Sequence, residues 1–151
     1  MNSKNKKKKQ ILRGYVRNDS FGPYCLPVSF QNKLLKQYCE EKNMQFALPQ
    51  GELVFSKNFI QLKSLINKIK NNEGLLMMSI FMLPNNFETR KKIIKNLIKK
   101  NIECHFLIEN QIAKKYEDYK KIEDIFKIAN FQNDNIRIFN SLKKYSRISY
   151  L

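Results

Sequence analysis

Nine consecutive residues, 75–83 (Leu-Leu-Met-Met-Ser-Ile-Phe-Met-Leu), contain a single polar side chain, Ser79, and no other feature constrains the fold as much. The run is far below the roughly 20 residues that cross a bilayer as a helix. Turn formers close it on both sides, Asn71-Asn72-Glu73-Gly74 before and Pro84-Asn85-Asn86 after. A short apolar run between such breakers predicts a strand covered on both faces, the central position of a parallel sheet. The rest of the chain must then supply helices for both faces.

Helical spacing provides them. Phe30, Leu34, Leu35, Tyr38 and Cys39 predict a helix over 29–42. Phe59, Leu62, Leu65, Ile66 and Ile69 predict one over 59–70, with Gly74 available for a left-handed end. Phe87, Ile94, Leu97 and Ile98 predict a helix over 87–100 with Lys91, Lys92, Lys95 and Lys99 outward. A fourth runs over 116–130. Strands are expected at 11–17, ended by the turn cluster 18–23, at 44–48, broken by Pro49, and at 102–109. The last alternates, with Ile102, Cys104, Phe106 and Ile108 on one face and Glu103, His105 and Glu109 on the other, which predicts an edge strand. Residues 136–139 suggest one more strand, and 141–151 take no assignment. Strand and helix alternating with short connections define an α/β class, a three-layer Rossmann-like or flavodoxin-like sandwich with a four- to five-stranded, mostly parallel sheet.

With 151 residues there is room for one domain. It is expected at 11–131, preceded by a disordered Lys-rich tail, 1–10, and followed by an extension, 132–151. The net charge of +16 is uneven: residues 1–13 carry +6 and 132–151 carry +3, so only +7 belongs to 14–131. Such basic segments favour nucleic acid or an anionic membrane surface. Compositional drift is the favoured explanation of them, because Lys outnumbers Arg 24 to 5 and Arg is the side chain suited to bidentate phosphate contacts. Cys25, Cys39 and Cys104 are odd in number, widely spaced and accompanied by one His, so neither a disulfide framework nor a metal site is expected. A reducing cytoplasm suits them. The Lys run lacks the apolar segment of a signal peptide.

In open α/β sheets ligands bind beyond the carboxyl ends of the strands, which nominates the loops 17–27, 49–55, 84–88 and 109–113. No GxGxxG or GxxxxGK[ST] pattern occurs, so no nucleotide cofactor is expected. Arg17 and Arg90 fall at this edge and are candidates to clamp a carboxylate or phosphate. The structural alternative is surface pairing with Glu88 or Glu109. Gln31 and Asn32 at a helix start and Glu52 after strand two are candidates to bond ligand hydroxyls. His105 is the single histidine and the candidate acid–base group, with no local partner evident, and Glu109 stands roughly 13 Å further along the same strand face. Ser79 reads as a satisfied core hydroxyl.

Several of these residues carry a family resemblance. Gly14-Tyr15, Pro27 with Gln31-Asn32, Tyr38-Cys39, Glu52, Ser79 leading into Leu83-Pro84, Arg90, His105-Phe106 with Glu109, and Ile122-Glu123-Asp124-Ile125 resemble, in order and spacing, the bacterial sporadic carbohydrate cluster proteins over residues 11–131. The resemblance implies a setting in surface polysaccharide or unusual sugar synthesis, and no particular reaction. A second resemblance is to serine-recombinase catalytic domains, through Tyr15-x-Arg17 at the end of the first strand and the following Gln-containing helix. Asp19 stands where that family has its nucleophilic serine and Ser20 is one place late, so recombinase activity is not implied.

Together these readings lead to an expected accessory protein or enzyme of carbohydrate biosynthesis that binds an anionic sugar or sugar nucleotide at the strand ends. The alternatives are a nucleic-acid binder and a peripheral membrane or scaffold protein, each using the Lys-rich tail and the outward lysines of the helix over 87–100. Self-association into a homo-oligomer stays open.

Overall fold

The computed structural model describes residues 9–52 and 59–148, with side chains through Ser141. Most of the Lys-rich tail, part of the 49–55 loop and the end of the extension lie outside the described residues. Five strands form one sheet in the order β2-β1-β3-β4-β5: β1 (Ile11–Val16), β2 (Gln45–Gly51), β3 (Glu73–Met77), β4 (Cys104–Phe106) and β5 (Gln111–Ala113). The first four run parallel, and β5 returns antiparallel on β4. The helices are α1 (Val28–Glu41), α2 (Ile60–Lys68), α3 (Phe87–Lys99) and α4 (Tyr116–Ile148).

Neighbouring residues of one strand show how the layers lie, because successive side chains point to opposite faces. On β4, His105 meets Tyr38 of α1 while Cys104 accepts a hydrogen bond from Tyr119 of α4. So α1 and α4 cover opposite faces. Arg90 of α3 pairs with Glu123 of α4, and Lys100 beyond α3 reaches the Ile66 and Asn67 carbonyls of α2, which puts α2, α3 and α4 together. The chain therefore leaves β1 towards one face and leaves its neighbour β3 towards the other. The crevice between their carboxyl ends is the switch point of the sheet.

The apolar run 75–83 is buried as expected, except that Phe81 is only partly so. Its strand is shorter than the run, because β3 ends at Met77 and Ser79 opens a 3-10 turn over Ile80–Met82 by accepting from the Phe81 N–H at 3.2 Å. β2 passes through Pro49 instead of ending there. The ladder to β1 shifts between Arg13 and Tyr15, and Leu48 is left 90% exposed. An edge strand tolerates a residue that cannot donate. β4 is not an edge strand, since the turn after Phe106 brings back β5, and Glu109 lies in that turn. The expected strand at 136–139 is helix: α4 continues unbroken for 33 residues, about 50 Å. Tyr119, Ile122 and Phe126 anchor its first half, whereas Phe131, Ile136, Ile138 and Phe139 are each more than half exposed.

The left-handed helix end expected at Gly74 is not formed: α2 closes on an extended Ile69, and the left-handed residue, Asn72 at φ 68°, sits in the turn before β3, whereas Asn43 and Asn101, both at φ 55°, do end α1 and α3. Asparagine is the side chain that best tolerates this conformation, and the chain has only four glycines.

Candidate functional site

The switch-point crevice is a cleft of about 380 Å³ bounded by the segments after β1 and β3 and by the first turn of α3. Arg17, Asp19 and Ser20 come from the first segment, Pro84, Asn85 and Asn86 from the second, Thr89 from α3, and Phe59 closes one wall. Gly22, at φ 56°, turns the first segment against the Phe81 ring, where a Cβ would stand 2.6 Å from ring carbon. No larger residue fits there.

Arg17 is the charged centre. Its Nε and one Nη donate to the two oxygens of Asp19 at 2.8 and 2.6 Å, and the guanidinium lies 4.9 Å from the centre of the Phe59 ring. The other Nη makes one long contact, 3.5 Å to the Met82 carbonyl. Hydrogen bonding to Arg17 holds the Asp19 carboxyl below its usual range. Phe59 has a left-handed backbone, φ 51°, uncommon for a bulky side chain. At the other wall the Asn86 side chain caps α3 by accepting from the Thr89 N–H at 2.9 Å. The N–H groups of Phe87 and Glu88 have no acceptor within the helix, and the positive end of α3 lies at the cleft.

Of the residues nominated from sequence, only Arg17 lines this cleft. Gln31, fully buried, braces it from behind: Nε2 donates to the Arg17 and Leu26 carbonyls at 2.6 and 2.7 Å, and Oε1 accepts from the Arg17 N–H at 3.2 Å. Asn32 is half buried, and its Oδ1 has no partner among the described residues. The Glu52 carboxylate sits over the start of α2, accepting from the Gln61 and Leu62 N–H groups at 3.3 and 3.2 Å and from the Tyr15 hydroxyl at 2.9 Å. It serves as the N-terminal cap that Phe59 cannot supply. Burial, reinforced by Glu52, pushes the Tyr15 phenol far up.

Arg90 is separated from Arg17. Its partner is neither Glu88 nor Glu109 but Glu123, held by two bonds of 2.7 Å, while Nη1 donates to the Pro84 and Asn85 carbonyls at 2.7 and 2.9 Å. Four donors are spent, and the guanidinium is stacked 3.9 Å from the Phe126 ring centre. Arg90 therefore shapes the wall of the cleft without reaching into it.

His105 and Glu109 are likewise apart. Glu109 accepts from the Ser79 hydroxyl at 2.5 Å and from the Ile80 N–H at 3.1 Å, so it fixes the 3-10 turn. His105, 1% exposed beneath α1, does have local partners: Nε2 lies 2.9 Å from Glu103 and Nδ1 2.9 Å from the Tyr38 hydroxyl. A carboxylate only accepts, which assigns the proton to Nε2 and leaves Nδ1 to accept from Tyr38. Burial lowers the histidine pKa and outweighs the opposing pull of Glu103. Spacing signals for Glu103–His105 and Arg17–Asp19 were present, each pair two residues apart in sequence. Nothing local pointed from Arg90 to Glu123. Among the described residues no three His, Cys, Asp or Glu side chains gather closely enough to hold a metal ion, and no helix is long and apolar enough to cross a membrane.

The architecture belongs to the Rossmann-like α/β class that includes serine-recombinase catalytic domains. In particular, the N-terminal catalytic domain of TP901-1 integrase superposes with a TM-score of 0.59 at 18% identity, covering 82% of this chain and 97% of that one. At that identity the likeness defines the fold. No family model and no curated protein matches the sequence.

Proposed function

We propose that the chain binds a small anionic ligand, a phosphorylated sugar or a sugar nucleotide, in the switch-point cleft. One observation carries the reading: the Arg17 guanidinium and the start of α3 converge on a single 380 Å³ cleft, a volume within the range of small-molecule sites. The less committed Nη of Arg17 and the free N–H groups of α3 suit a phosphate. Ser20, Asn85, Asn86 and Thr89 suit hydroxyls, and the Phe59 ring suits a sugar face or base. The resemblance to sporadic carbohydrate cluster proteins favours a sugar phosphate over other anions and is the support for a setting in surface polysaccharide synthesis. Among the described residues no acid–base pair lines the cleft, and the reading assigns binding and no reaction.

The test is a thermal-shift titration with hexose phosphates and nucleoside-diphosphate sugars. The expected result is a saturable rise in Tm that Arg17→Ala abolishes, while the melting point of the free variant stays within a few degrees of the parent. A response that survives Arg17→Ala rejects the cleft as the site.

A second reading has its own support in the fold shared with an integrase catalytic domain and in the charge of +16. It is nucleic-acid binding without strand cleavage, since position 19 is an aspartate bonded to Arg17. Affinity for duplex DNA would then fall steeply with salt, and absence of binding at low salt rejects it. Either reading accommodates self-association through the projecting half of α4. A dimer by light scattering that becomes a monomer on truncation after Asn130 is the expected result.

A further inference from the structure

A second concavity lies on another side of α3, away from the cleft. It is a groove of about 350 Å³ between α3 and the first half of α4. Its floor is apolar: Ile94 is 7% exposed and Ile98 is half buried, while Phe87 at the start of α3 and Tyr116 at the start of α4 stand towards opposite ends with 49% and 68% of their surface open. Lysines edge it on both sides, Lys91 and Lys95 from α3 and Lys120 and Lys127 from α4. One acid, Glu123, reaches the groove, and its two oxygens are occupied by Arg90. Lys127 touches Asp124 at 3.2 Å in an exposed pair, which contributes little.

We infer that this groove docks an acidic amphipathic helix of a partner protein. The geometry suits one. From Phe87 to Ile98 is eleven residues of α3, about 16 Å, or three helical turns, the length over which anchors at i, i+3 or i+4, and i+7 fill a groove between two helices. Lysines along both edges call for Glu or Asp on both flanks of the incoming apolar stripe, and the desolvated floor supplies the affinity that edge charges alone do not. A bilayer fits less well, because Ile94 and Ile98 lie below the lysines, where a flat surface does not reach. The inference is independent of the ligand proposed for the cleft, whose residues occupy a different face of α3.

The probe is a fluorescent synthetic helix of about fifteen residues, with Leu at i, i+3, i+4 and i+7 and Glu on both flanks, titrated by anisotropy against the full chain. Saturable binding is expected, weakened about tenfold or more by Lys91→Glu with Lys95→Glu and several-fold by Tyr116→Ala. The matched charge reversal Lys33→Glu with Lys36→Glu on α1 should leave it unchanged. All these sites are exposed, and an unaltered Tm verifies folding. Equal binding of a scrambled peptide, or equal loss in the α1 variant, overturns the proposal by showing charge attraction without a groove. Flotation with phosphatidylglycerol vesicles that depends on Lys91 and Lys95, with no binding of the helix, overturns it in favour of a membrane surface.

Discussion

Arg90 and Glu123, thirty-three residues apart, face each other through two parallel hydrogen bonds of 2.7 Å, with the guanidinium lying on the Phe126 ring. The pair ties α3 to α4, and through the Pro84 and Asn85 carbonyls it sets one wall of the cleft. Removing one partner of a buried pair leaves the other charge uncompensated. Arg90→Ala should cost about 3–5 kcal/mol in urea unfolding. Arg90→Lys should recover little, because an ammonium cannot span Glu123 and two carbonyls at once. Near-normal stability of the lysine variant would show that charge alone suffices.

Gln31 stabilises the opposite wall. Gln31→Ala strips partners from both backbone groups of Arg17 and from the Leu26 carbonyl, at a cost of about 2–3 kcal/mol. Hydrogen exchange of the Arg17 amide should accelerate more than that of core amides in β3. Uniform acceleration across the sheet would instead indicate global destabilisation.

His105 makes a pH prediction with a defined sign. Burial lowers its pKa in the folded state, so the unfolded chain takes up a proton first, and stability present above about 6.5 declines as pH falls through the folded value. As the single histidine, it gives one assignable imidazole in nitrogen-detected NMR. That signal should show the proton on Nε2 at neutral pH. An Nδ1–H tautomer would reverse the roles assigned to Tyr38 and Glu103.

At lower pH the relevant group is Glu73. Hydrogen bonds from Arg13, at 2.7 and 2.8 Å, hold its carboxyl well down, at about 2. A depressed carboxylate stabilises the fold above its unfolded value near 4.5, and the contribution disappears as pH falls towards 2. Glu73→Gln should therefore cost about 1 kcal/mol at pH 7 and nothing near pH 2. A difference independent of pH would place the effect in packing.

The sequence alone determined the class of fold. The apolar run 75–83, the helical spacings and the turn residues are local signals, and hydrophobic burial on two faces has few solutions for such an order. It also determined that Arg17 stands at the strand ends, because the end of β1 is set by the turn cluster after it. What only the tertiary structure decided is how the polar side chains are spent. Arg90, Gln31, Glu52 and Glu109 lie near the strand ends yet brace the walls, because each found a partner 9 to 37 residues away or a backbone carbonyl beside it. The continuation of α4 was hidden for a related reason. Ile136 and Ile138 alternate like a strand, but a helix satisfies its own backbone without needing a sheet edge.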